Sequence, residues 1–186
     1  LMLRERAGER LLPWTNGEAS AEALAAQSDD LLGMFGLLIR ALVLPMSLLL
    51  ILLEALNRMA AGLILAVTPV LSVQTLGWDQ TEYASVIALS GAWAAVFGVL
   101  MGFVVDRVGA TRILMLVVVI RAAVFLMVGF TESHWAESGY FATVLYVNQF
   151  TGQVVTITII ALFMRICMPK ISATQFAVYM ASANLT

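Results

Sequence analysis

Charge is scarce in this chain. Asp, Glu, Lys and Arg make up 12% of its residues, against about 25% in an ordinary soluble domain. Apolar residues reach 61% and the mean hydropathy is +0.95, which places the chain among integral membrane proteins. Cysteine is nearly absent: Cys167 stands alone, so no intrachain disulfide and no cysteine-built metal site can form. His134 is the single histidine, and neither a His-Glu-x-x-His pair nor a phosphate-binding Gly-Lys-Ser/Thr run occurs. A membrane-embedded enzyme needs a metal cluster, an activated nucleophile or a paired acid and base; the expectation is therefore no enzyme, no metal and no cofactor. The net charge of -2 comes without a basic stripe interleaved with aromatics, which speaks against a nucleic-acid partner.

The apolar residues are not spread evenly. Residues 1–30 mix Arg4, Glu5, Arg6, Glu9 and Arg10 with Pro13-Trp14-Thr15-Asn16-Gly17, a composition that suits a solvent-exposed linker and not a removable signal peptide. Asp29-Asp30 can cap a helix over 31–44, stopped by Pro45; at fourteen residues it is too short to span and is expected along the membrane surface, so that 31–45 forms an interfacial element. The membrane domain is expected over 46–186, with spans at about 46–73, 81–105, 113–130 and 140–164. A further span starts near 173 and stops at Thr186. That ending, with Leu1 in place of an initiator Met, is what a fragment would show. Pro69 is expected to kink the first span. Gly91, Gly98 and Gly102 recur on one face of the second, where a neighbouring helix can approach closely. Ser172-Ala-Thr-Gln175 has the form of a capping box opening the last helix.

Basic residues set the orientation. Arg4, Arg6, Arg10 and Arg40 precede the first span, Arg107 and Arg112 lie between the second and third, and Arg165 and Lys170 follow the fourth, whereas the two intervening loops hold no Lys or Arg. The positive-inside rule puts the N-terminal segment and the Arg107 turn in the cytoplasm. His134 falls in an outer loop, where it is expected to be solvated.

That cytoplasmic turn, Gly102-Phe-Val-Val-Asp106-Arg107-Val-Gly109-Ala-Thr-Arg112, is a charged hinge between two apolar runs. Gly109 permits a positive-φ reversal, the arginines can meet anionic lipid heads, and Asp106 is suited to latching a neighbouring helix end or a facing Arg. Its spacing resembles the signature loop of the major facilitator superfamily of secondary transporters; Gly102, Asp106, Arg107, Gly109 and Arg112 match, while Ala110 and Thr111 do not. The run Ser172-Ala-Thr-Gln-Phe-Ala resembles the opening of the eleventh helix in the muropeptide permease (AmpG-type) and acetyl-coenzyme A transporter branch. The resemblance implies an all-α membrane protein, part of the C-terminal six-helix repeat of a twelve-helix fold: the central loop, spans seven to ten and the start of eleven. It also implies a multi-pass protein of the inner (plasma) membrane, a symporter whose partners are the lipid bilayer, a solute, protons and the remaining half of the transporter. The expected activity is secondary active, proton-coupled uptake of a bulky anionic solute such as a muropeptide. The alternatives are a facilitator of another substrate class or a non-transporting receptor or scaffold of the same fold.

The residues themselves point to a polar pathway. Ionisable groups inside a span cost at least about 2.5 kcal/mol each and usually face a partner or a water-filled cavity. At roughly 1.5 Å per residue, Glu54 lies about 12 Å, Arg121 about 13 Å and Arg58 about 18 Å from the cytoplasmic helix ends, with Gln153 near the level of Arg58. Glu54 can pair with Arg58, four residues on, or across to Arg121, but one carboxylate cannot neutralise both. One positive charge is left over and is expected to face a central cavity, with Asn148, Gln149 and Gln153 as polar neighbours and Asn57 a further candidate on the pathway; the alternative is a static ion pair that only locks helices together. Glu54 becomes a candidate proton carrier.

Overall fold

The computed structural model describes residues 31–184. The linker expected over 1–30 lies outside the described residues, as do Leu185 and Thr186. Regular structure among the described residues is entirely helical. Helix α1 is Leu31–Val43, α2 Pro45–Val70, α3 Gln80–Val108, α4 Ala110–Phe130, α5 Ser138–Ile166 and α6 Ser172–Asn184. Four segments, Pro45–Thr75, α3, α4 and α5, are long and apolar enough to cross a membrane, the make-up of a multi-pass all-α membrane protein. Each starts and ends within a few residues of its expected bounds.

Local chemistry sets the boundaries. Pro45 bars the helical conformation from Leu44, which is extended at φ -56°, ψ 137°, and then serves as the first residue of α2. Near the other end Pro69 removes one backbone donor. The chain does not simply bend there: it widens into a π-helical turn at Leu71–Thr75, a form that absorbs a disrupted hydrogen-bond ladder. Asp79 caps α3 by accepting from the Thr81 N–H at 3.1 Å and from the Thr81 hydroxyl. Between α3 and α4 the whole turn is Gly109, at φ 101°, ψ 131°, a backbone region that side chains other than glycine's rarely allow.

Helix α5 is the centre of the bundle, packed along α3 on one side and α4 on the other; α2 and α6 close over its C-terminal half. The main core sits at the end that carries the Asp106 turn, where Leu50, Val105, Leu114, Val117, Ile159 and Phe163 are buried together. A smaller cluster at the opposite end stacks Trp78 edge-on against Phe141, ring centres 5.7 Å apart, with Leu145 beneath. Helix α1 does not stand alone: Leu38 and Ala41 are buried with Ile171. Much of the outward surface of α2, α3 and α4 is apolar, including Leu52, Leu63, Val99, Phe103, Met115 and Leu126, as lipid-facing helices require.

Two local expectations change. The expected glycine stripe divides: Gly98 is pressed against Gln153 and Ile157 of α5, Gly91 meets only the Gln149 amide nitrogen, and Gly102 faces open space. Ser172 and Gln175 form no reciprocal capping box. A 3-10 turn at Pro169–Ile171 runs into α6, so the first turn begins three residues before Ser172. Gln175 instead accepts from the Met168 N–H at 2.8 Å and donates to the Tyr179 hydroxyl at 2.7 Å. Tyr179 in turn bonds Ser47 at 2.8 Å, and Ser47 donates to the Ala41 carbonyl at 2.7 Å. This buried chain ties α1, α2 and α6 together at one end of the bundle.

Candidate functional site

Helix α2 packs against α3 chiefly through the Leu71–Thr75 turn, and the space between α2, α3 and α5 opens as a cavity of about 420 Å³. Its walls carry Asn57, Arg58, Thr68, Tyr83, Arg121, Asn148, Gln149, Gln153 and Thr156 among apolar and small residues. Six of the seven residues expected on a polar pathway therefore line one space. The seventh, Glu54, lies behind it: its side chain is 4% exposed, against 40% for Arg58.

Glu54 and Arg58 are four residues apart on α2, a spacing that puts them one turn apart on the same face. The Arg58 Nε donates to Glu54 Oε1 at 2.7 Å, and this is the one salt bridge among the described residues. Glu54 Oε2 is buried with no hydrogen-bond partner among them. A buried acceptor left in this way forfeits the water it would have bonded, so Glu54 is better satisfied when something is delivered to Oε2.

Arg121 is held differently. It projects from the middle of α4 toward the cavity, its Nη1 donating to Asn57 Oδ1 at 3.2 Å and its Nη2 to Asn148 Oδ1 at 3.1 Å. The guanidinium also lies over the Phe125 ring, 5.7 Å from its centre. Gly152 lies beside it, where a Cβ would stand at an ordinary contact distance of 3.7 Å from Nη1. Both hydrogen-bond partners are neutral, so they orient the cation without cancelling its charge. Counting from Ala110 at 1.5 Å per residue, Arg121 stands about 16 Å along its helix, near the middle of a core of about 30 Å.

Thr68 and Tyr83 join this wall although neither was expected there. Thr68 donates to the Ile64 carbonyl at 2.8 Å, and its hydroxyl meets that of Tyr83 at 3.2 Å. Thr68 was legible in principle, being eleven residues, or three turns, beyond Asn57 on the same helix face. Tyr83 carries no sequence signal that separates it from a tyrosine at a helix end.

The Asp106 turn lies at the far end of the bundle from Trp78. Asp106, Arg107 and Arg112 are exposed, and Asp106 makes no ion pair among the described residues. With Arg165 and Gly109, Asp106 and Arg107 border a shallow groove of about 560 Å³. The latch contact expected of Asp106 is not formed in this conformation. His134 is exposed, as is the short 3-10 turn Glu132–His134 that carries it. Comparison with protein-family models, with curated proteins and with solved structures finds no match in any of the three.

Proposed function

We propose that this chain is part of a secondary active transporter of the major facilitator type, which takes up a bulky anionic solute, a muropeptide being the leading candidate, with proton coupling. The observation that carries this reading is Arg121: a cation at mid-helix depth, on the wall of a cavity that several polar side chains line, hydrogen-bonded among the described residues to two neutral amide oxygens and with no carboxylate beside it. A side chain of that kind is costly against lipid, and it is compensated when an oxyanion binds. The cavity opens between helices, as solute sites of transporters with repeated helical halves do. The remaining half of the transporter would complete its wall.

Glu54 supplies the proton-linked part of the proposal. Its partnerless Oε2 can take a proton, and its bond to Arg58 places that event next to the cavity. The basic residues on the Asp106 side support a cytoplasmic N-terminal segment in an inner membrane, and the Gly102, Asp106, Arg107, Gly109 and Arg112 turn supports a gating role on that face. The test is uptake of a radiolabelled muropeptide by the full-length protein in proteoliposomes under an imposed pH gradient. Uptake that collapses with the gradient and falls at least tenfold in Arg121→Gln is expected; Glu54→Gln should retain binding and lose the gradient dependence. A protein that binds the solute without moving it would be a receptor of this fold, and one that moves other solutes only would be a facilitator of another class. Undiminished uptake by Arg121→Gln would remove the central argument.

A further inference from the structure

Resting on the reading of Arg121 as the solute-binding cation, we propose that Asn57 and Asn148 are its positioning residues and set the charge preference of the cavity. They come from two different helices, α2 and α5, and bracket a guanidinium that belongs to a third. Each uses its Oδ1, so each presents its amide Nδ2 elsewhere, and each lines the cavity. Arg121 has five N–H donors; these two bonds use two of them, and the other three have no acceptor among the described residues. The arrangement fixes the plane of the fork while leaving most of its hydrogen-bonding capacity and all of its charge to an incoming oxyanion.

Carboxylates in the place of these amides would hold Arg121 more strongly, because two opposite full charges attract more than a charge and a neutral dipole. They would also cancel the charge that the solute needs. The contrast is present on the same wall: Arg58 reaches the cavity too, but its charge is matched by Glu54 at 2.7 Å. An amide cradle and a carboxylate partner thus give two arginines different tasks. Arg121 recognises the anion, and Arg58 is held in reserve by its neighbour. The recognised group is an oxyanion, and a carboxylate and a phosphate are its two candidate sources.

The experiment exploits the near-identical shape of Asn and Asp. In the full-length protein, Asn148→Asp and Asn57→Asp are each purified and compared with wild type and Arg121→Gln. The probes are N-acetyl-alanyl-alanine for a carboxylate and inorganic pyrophosphate for a phosphate, with binding followed by calorimetry and stability by thermal unfolding. The expected result is opposite movement. Each Asp variant unfolds at the same temperature as wild type or higher, yet binds the preferred probe at least tenfold more weakly, and a neutral analogue of the preferred probe, the dipeptide amide in the carboxylate case, loses nothing. If Asn57 and Asn148 have no part in setting the charge at Arg121, the Asp variants keep full affinity, and the proposal is overturned. Loss of folded protein in both would overturn it as well, since it requires the amide oxygens to be exchangeable for carboxylate oxygens. Arg121→Gln separates the two levels: wild-type affinity there sinks the cation reading itself, whereas lost affinity there beside intact Asp variants sinks only the cradle.

Discussion

A methyl group added at Gly98 probes how closely α3 and α5 are packed beside the cavity. An ideal Cβ at this position would sit 3.0 Å from Nε2 and 3.1 Å from Cγ of Gln153, and 3.2 Å from Cδ1 of Ile157. At Gly102, one turn further along the same face, nothing lies within 4 Å. Both Gly→Ala changes gain the same helix preference, about 1 kcal/mol, so the difference between them isolates the steric cost. Overpacking a tight contact costs about 1–3 kcal/mol. Because the opposing atoms belong to side chains that can swing aside, the lower part of that range, about 1–2 kcal/mol, is expected. For a chain of this size that separates the two unfolding midpoints by about 2–8 °C, with Gly102→Ala at or above wild type and Gly98→Ala below Gly102→Ala. Thermal unfolding of both variants in the same detergent reads it directly. Equal midpoints would mean that α3 and α5 are not in this contact in the folded protein, and the cavity wall built on Gln153 would fall with it.

Cys167, half-buried beside the end of α5, tests the orientation: burial pushes its thiol up from the ordinary value, so alkylation should still be accelerating above the pH where a free thiol levels off. A membrane-impermeant maleimide should label it in inverted vesicles and spare it in intact cells; equal rates from both sides would refute a cytoplasmic Asp106 face. Asp79 should behave as a helix cap, since bonds from the Thr81 hydroxyl and N–H hold its carboxyl below the usual carboxylate range. A depressed folded-state value means that its stabilisation is present above the unfolded pKa and is lost as pH falls through the folded one. The melting temperature of Asp79→Ala should accordingly converge with wild type toward acid, and a constant gap down to the lowest pH would exclude the cap.

How much of this was legible in the sequence depended on the kind of signal. The four long apolar helices were, because length and apolarity are local properties and a hydrocarbon core leaves little else possible. Their partners were not. Lipid and protein interior are both apolar, so α3 and α4 advertise no packing face, and the central place of α5 is hinted at only by Asn148, Gln149, Gln153 and the buried Thr158. Pro69 announced a disturbance, but whether the chain would bend or widen depends on how the freed carbonyls find new donors; here the widening comes at Leu71–Thr75. Gln175 was read as the partner of Ser172 because the spacing fits. The turn at Pro169–Ile171 moved the helix start to Met168, and Gln175 performs the same service for that residue's N–H from seven positions away.

The site shows the same division between what a single helix determines and what needs three. Glu54 and Arg58 were bound to meet once α2 was a helix, and that pairing alone decided which arginine kept its charge. It did not decide what would hold the other. Depth arithmetic put Arg121 near the level of Glu54, yet its partners are Asn57 and Asn148, because Glu54 is buried behind the cavity wall while Asn57, three residues on and about 60° around the helix, lines the cavity. A rotation of α2 by roughly 60°, in the direction that carries Glu54 to the place of Asn57, would bring a carboxylate toward Arg121 and abolish the free cation. The anion-binding reading therefore rests on the rotational setting of α2, and that setting is fixed far from the cavity. Leu50 and Ser47 are buried on the same stripe as Glu54, and the Ser47 hydroxyl is held by Tyr179 and the Ala41 carbonyl. The buried chain at the Asp106 end of the bundle thus does more than join helices: it sets which side chains of α2 the cavity sees.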